Sequence, residues 1–392
     1  MSTLDKVQAI NEQLITWRRD FHRHPEVGLD LPRSERIVAE TLRELGYAVE
    51  TGIAQSGVVG VLKNGDGPVV MVRADMDALP IKEENDVPYA SETPGKMHAC
   101  GHDAHMAIGL GVATLMAETR DSWQGTLKMV FQPGEEGENG ADIMVKEGVL
   151  ENPRPDTVLA LHVWNEGSTG SVAATPGPVM AAAEAWEATI RGKGGHAAVP
   201  EDTVDPIVTA ALTINALQTI VSRSVGAKET AVVTVGQLTA GDTFNVIPDV
   251  ARMKGTIRTF DPDVRKVALR RLHEIIEGTA ELMGAEAEVI LHPVAPAVIN
   301  DEAVTAVVQD AVRTVLGEEG LDVGMRTMGS EDAAFFLREI PGCFFFVGST
   351  PVDAEEHIPH HNPKFDIDES VLPIGVSVML TSLRRLMPVE EA

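Results

Sequence analysis

The chain has 392 residues and a mass of 42.0 kDa, more than one hydrophobic core ordinarily organises, so two domains are expected. Its 32 basic and 59 acidic residues leave a net charge of −27, which argues against nucleic acid or an anionic membrane as partner, since both need a basic footprint. Two cysteines far apart, Cys100 and Cys343, make no disulfide framework, no apolar run reaches the roughly 20 residues of a membrane span, and residues 1–26 hold no apolar leader, so a cytoplasmic setting is expected.

Residues 4–46 read as two helices separated by HPEVGLDLPRSE, with Ser34 placed to cap the second. Three continuous apolar runs follow, GPVVMVRAD, GTLKMVFQPGEE and DTVLALHVWN, each ending in polar residues. That is the pattern of strands buried on both faces of a largely parallel sheet. HMAIGLGVATLMAET, between the first two, suits a crossover helix. From about Glu184 the pattern changes. EAWEATIRG alternates like a half-buried strand, and DPIVTAALTINALQTIVSR is a long helix with Pro206 in its first turn. TAVVTVGQLTAG and ARMKGTIRTF are strands, DPDVRKVALRRLHEIIEGTAELMG is a second helix, and EAEVILHPV is a last strand. This β-α-β-β-α-β order is the ferredoxin-like unit. After about Pro296 helices and strands alternate again, through CFFFVGS to a final helix starting near Asp368. The expectation is an α/β protein. Residues 1–183 and 295–392 form a domain with a mostly parallel sheet flanked by helices, and residues 184–294 form an inserted ferredoxin-like α+β domain. GKGG at 192–195 lacks the spacing of a phosphate-cradling loop.

Ligands of open α/β sheets bind at the carboxyl ends of the strands. Read out at those ends, the chain offers Asp75 and Asp77, then Gln132 to Glu136, then His162, while MHACGHDAH supplies Cys100 and His102 between the first two strands. HIPHHNPKF adds His357, His360 and His361 near the C-terminus. Thiolate and imidazole suit borderline-soft ions such as zinc or manganese, and carboxylates complete the shell. Five or more donors exceed the needs of one tetrahedral ion, so two adjacent divalent ions are expected. The Glu135–Glu136 pair would be costly at a buried rim without cations, and divides naturally into one ligand and one general base. His98 and His105 have nothing to fix their direction and read as supporting groups. A nucleophilic Cys100 with a histidine base is a competing reading.

RADMDALP, MHACGHDAHMA, FQPGEEGENGA, LHVW, GGHAAVP, FNVIPD, GSEDAAFF and HHNPKFDIDE occur in that order, after DFHRHPEVGL. Together they resemble the dinuclear metal-dependent amidohydrolases, the branch with hippurate hydrolase, N-acyl-L-amino-acid amidohydrolase and indole-acetyl-amino-acid hydrolase. The resemblance covers nearly the whole chain. It implies metal ligands at Cys100, His102, Glu136, His162 and His361, with Cys100 bridging the ions, Glu135 as general base and Asp75 as a supporting group. It further implies that His196 stabilises the oxyanion and reaches the partner subunit's site, that Asn245 and Arg258 bind the substrate carboxylate, and that the inserted domain dimerises and acts as a lid. The implied activity is hydrolysis of N-acyl (acetyl, benzoyl or similar) L-amino acids to a carboxylic acid and a free amino acid. The ions would be zinc or manganese, with cobalt or nickel able to share such ligands. A dipeptidase or carboxypeptidase using the same centre is the alternative, and a binding protein without catalysis is a third.

Overall fold

The computed structural model describes residues 3–351 and 357–389. By its internal contacts the chain divides into two units, one of Met1–Val179, Ile299–Arg326 and Asp332–Ala392, the other of Met180–Val298 and Thr327–Glu331.

The first unit opens with a short helix, Thr3–Ala9, followed by α1 (Asn11–Arg23) and α2 (Pro32–Glu44). Ser34 does not cap α2. The helix starts two residues earlier, at Pro32, because the Glu26 carboxylate accepts from the backbone N–H groups of Arg33 and Ser34 and so does the capping. A hairpin not expected from the sequence follows, β1 (Ala48–Ile53) and β2 (Gly57–Asn64). Then come β3 (Val69–Asp75), α3 (His102–Glu118), β4 (Gly125–Gln132) and β5 (Thr157–Ser168).

In the second unit β6 (Ala182–Arg191), α4 (Pro206–Thr219), β7 (Ala231–Ala240), β8 (Val250–Thr259), α5 (Pro262–Leu282) and β9 (Glu286–Ala295) follow one another. The strands form one antiparallel sheet in the order β7-β8-β6-β9, the ferredoxin-like arrangement. Asp205 and Asp261 accept from the first backbone N–H groups of α4 and α5, and a proline follows each. Trp186, Ile190, Met253, Leu272 and Ile276 make the core.

Back in the first unit, α6 (Glu302–Leu316) and β10 (Gly342–Thr350) precede α7 (Val371–Leu386), which starts three residues beyond Asp368. The main sheet runs β1-β2-β4-β3-β5-β10, with two two-residue strands beyond β10 at its edge. Strands β3, β4, β5 and β10 are mutually parallel, and β3, β4 and β10 are buried almost throughout, as their apolar runs require. From β3 the chain crosses to β4 on one side, whereas β5 and β10 lie on the other. The carboxyl ends of β3 and β5 therefore flank a switch point, where such sheets bind ligands.

Helix α3 is buried nearly all round. Its glycines allow close approach: a Cβ at Gly111 would lie 2.5 Å from Leu14 of α1, and one at Gly109 3.0 Å from the Phe131 ring. Leu14 is wholly buried at this contact, so Leu14→Ala is expected to cost about 2–5 kcal/mol, read as a lowered urea midpoint of the first unit.

Candidate metal centre

The turn entering α3 sets the centre. Gly101 has φ +91°, and a Cβ there would lie 2.4 Å from the Val163 side chain, so glycine is required. Its neighbours Cys100 and His102 both face the carboxyl end of the sheet. Two groups of donor atoms meet there, with the atoms of each group within 4.8 Å of one another. One is Cys100, His102 and His162; the other is Cys100, Glu136 and His361. They share only the cysteine. Among the described residues, further groups join His102 to Glu135 and Glu136, and His102 to Asp75 and His105.

Hydrogen bonding decides what each imidazole can do. The Nδ1–H of His102 donates to the Asp77 carbonyl at 2.8 Å, and that of His162 to the Val163 carbonyl at 2.5 Å. A carbonyl only accepts, so each neutral ring keeps its Nε2 lone pair for the centre. His102 Nε2 is shut off from solvent without a hydrogen-bond partner, and the His162 Nε2 lies 3.5 Å from the Cys100 Sγ. His105 is different. Its Nδ1–H donates to Asp75 at 2.5 Å and its Nε2 accepts from the Val163 N–H at 2.9 Å, which uses both nitrogens. His360 Nε2 likewise accepts from the Asn165 N–H at 3.1 Å. His361 sits at φ +63°, an uncommon backbone region for a non-glycine residue, and this brings its Nε2 within 3.2 Å of Glu136 Oε1. Its ring is 53 % exposed, so this edge of the centre is open to water.

Each acid at the rim is held differently. Asp75 is gripped by Arg73 and His105, and Arg73 is itself held by Gln132 and Asp332. Burial raises the Asp75 pKa, but Arg73, His102 and His105 outweigh it and carry it well below the carboxylate range. Asp77, noted at the rim in the sequence without a role, accepts from the backbone N–H groups of Glu135 and Glu136, each at 3.0 Å. It thus fixes the turn carrying the glutamate pair, and through its carbonyl also orients His102. Only its position two residues past the end of β3 hints at this in the sequence. Glu136 Oε1 is buried without an aligned donor.

The electrostatics favour a cation. Burial, then Glu136, Glu135 and Asp75, push the Cys100 thiol well above its usual range. Burial alone would lower the His102 pKa, but Asp75, Asp77 and Glu136 raise it to about 10. The acids thus keep a proton on the Cys100 thiol and another on the His102 ring, whose Nε2 lies 3.7 Å from Asp75 and 4.0 Å from Glu136. A divalent ion can replace both protons, so the donor set fits metal. The same environment disfavours a cysteine nucleophile, since burial holds His162 well below its usual pKa and unable to pair a thiolate.

His98, Asp103 and His357 contribute no donor to these groups. Asp103 accepts instead from His22 and Arg18, and both His98 nitrogens are buried without a partner. His196, Asn245 and Arg258 lie in the second unit. His196 pairs with Val246 in a two-stranded ribbon, the Ala197 N–H donates to the Asn245 carbonyl at 3.1 Å, and Arg258 lies on β8 opposite Ala183 of β6.

The sequence profile of peptidase family M20/M25/M40 matches residues 71–385. The chain is 38% identical over 392 residues to N-acetyl-L-cysteine deacetylase of Bacillus subtilis, covering 100% of this chain and 91% of that one. It is 37% identical over 389 residues to an IAA-amino acid hydrolase of Arabidopsis thaliana (98% and 88%), and 36% identical over 377 residues to thermostable carboxypeptidase 2 of Saccharolobus solfataricus (94% and 94%). A crystal structure of a dinuclear metal-binding M20 peptidase from Bacillus subtilis superposes with TM-score 0.85 at 32% identity, covering 97% of this chain and 99% of that one.

One pH dependence follows from the histidine beside the centre. His22 faces Asp103 at 2.7 Å and Glu83 at 3.2 Å. Burial lowers its pKa, but Asp103 and Glu83 raise it from 6.5 to about 9. A raised histidine pKa stabilises the fold fully below about 6.5, and that contribution is lost as pH rises through about 9. The stability difference between wild type and His22→Gln, from urea midpoints, should stay constant below pH 6.5 and shrink toward pH 9.

Proposed function

The chain belongs to peptidase family M20/M25/M40, and we propose that it is a dinuclear metal-dependent amidohydrolase cleaving N-acyl L-amino acids to a carboxylic acid and a free amino acid. The observation that carries the reading is the pair of donor groups sharing only Cys100, in a chain similar over its whole length to a deacetylase and an amino-acid-conjugate hydrolase. Cys100 would bridge two ions, His102 and His162 completing one and Glu136 and His361 the other. Zinc or manganese suits these ligands best, with cobalt or nickel as substitutes.

When bound, the ions supply Lewis acidity toward the amide carbonyl and lower the pKa of a water. The chain's own residues handle the protons. Glu135, held by its backbone to Asp77, takes the proton from the attacking water and returns it to the leaving amine. His196 is assigned to the oxyanion: its Nδ1 accepts from the Ala198 N–H at 3.0 Å, so the neutral ring carries its proton on Nε2 and can donate there. Asn245 and Arg258 are assigned to the substrate carboxylate; Arg258 is half-buried and one of its Nη atoms is solvent-excluded without a partner. A homodimer through the second unit is supported by Ile207, Val208 and Leu212 on α4 and by Phe244, 97 % exposed. A cytoplasmic setting is assigned on the two free cysteines, Cys100 and Cys343, which suit a reducing compartment; among the described residues no helix is long and apolar enough to cross a membrane.

After chelation and add-back of zinc or manganese, the protein should hydrolyse N-acetyl, N-benzoyl or indole-acetyl amino acids in a colorimetric amine assay. Cleavage of dipeptides alone would assign it to the peptidases, and activity indifferent to chelators would refute the metal mechanism. Glu135→Ala should lower kcat by about 10²–10⁴-fold while elemental analysis still finds two ions per chain. An empty variant would make Glu135 a ligand.

A further inference from the structure

We propose that Arg18 is a positioning residue for the metal centre, its guanidinium locking the entry to α3, where Cys100 and His102 sit on either side of Gly101, to the C-terminal segment that carries His361. The inference rests on reading those three residues as ligands. Arg18 lies on α1 and is fully buried. Its Nε donates to Asp103 at 2.9 Å, its Nη2 to Asp366 at 2.6 Å and its Nη1 to Glu369 at 3.2 Å. Asp103 is the residue after His102, and Asp366 follows His361 by five. One planar fork thus spans both ligand-bearing segments with directed, charge-assisted bonds.

The surroundings tighten this fork. His22 Nδ1 donates to the same Asp103 oxygen at 2.7 Å, and Tyr89 OH donates to the other Asp366 oxygen at 2.7 Å. The Arg18 guanidinium stands 4.7 Å over the Tyr89 ring. Asn85 Nδ2 donates to the Phe365 carbonyl at 2.8 Å, and the His361 N–H donates to the Ala99 carbonyl at 2.8 Å, joining the two segments directly. Arg18, a protonated guanidinium with donors only, offers no atom to a metal. It therefore acts through the backbone that presents the donors, as the outer partners of metal ligands do. Lysine at this position would keep the charge and lose the fork.

The test uses the full chain, stripped by chelation, with Zn²⁺ titrated calorimetrically into wild type, Arg18→Lys and Asp366→Asn. Circular dichroism reports folding, and Asp366→Asn, at the partly exposed end of the network, carries the test if Arg18→Lys does not fold. Wild type should take up two ions. Each folded variant should bind at least one of them about 10–100-fold more weakly. Its kcat on an N-acetyl amino acid should fall at limiting zinc and return at saturating zinc, with KM unchanged. Folded variants with wild-type affinity for both ions would overturn the proposal, as would a kcat loss that saturating zinc does not restore. Unfolding of both variants would reduce the network to a stability element and overturn it too. Wild type binding no zinc would instead overturn the ligand assignment, and this inference with it.

Discussion

Burying several acids and a thiol at one rim of a sheet is the constraint on which this molecule is organised. A carboxylate removed from water must find a cation, a set of N–H donors or a proton. Asp75 finds Arg73 and His105, Asp77 finds the amides of Glu135 and Glu136, and Asp103 finds Arg18 and His22. Cys100, kept a neutral thiol by burial and the surrounding acids, and Glu136 are left facing one another, with His361 beside them. Those three acids, each held by its own partners, form a scaffold, and the Cys100–Glu136 pair marks where a divalent ion fits.

The same logic separates histidines that look alike. His102 and His105 lie one turn apart on α3, their rings stacked with centroids 5.3 Å apart. One donates to a carbonyl and keeps a lone pair toward the centre; the other spends both nitrogens on Asp75 and Val163. His360 and His361 are adjacent in sequence, yet one is half-buried against Trp164 and Phe365 while the other turns outward through a left-handed backbone. In each pair the backbone group that happens to lie nearby assigns the role, and that group comes from a different strand or loop.

Much of the fold was legible because burial imposes periodicity. The continuous apolar runs at β3, β4 and β5 announced strands covered on both faces, and the alternation from Glu184 announced a sheet covered on one. The β1–β2 hairpin was missed, since it lies at the sheet edge where β1 is mostly exposed and carries no clear pattern. Ser34 looked like a cap because its residue type suits one, but Glu26, eight residues earlier in the chain, reached the free amides first.

The residues that could hold metal were present in the sequence as types and spacings: a thiol and an imidazole flanking a glycine, paired glutamates after an apolar run, a histidine ending another. By itself the sequence determined which donors the chain owns and that strand ends would deliver them to one rim, because side-chain chemistry and hydrophobic period are local properties. Only the tertiary structure decided which lone pairs stay open, that Asp77 holds the glutamate turn, and that Arg18 joins α3 to the C-terminal segment. Those outcomes depend on partners between one and about 350 positions apart, and a hydrogen bond is decided by distance in space rather than along the chain.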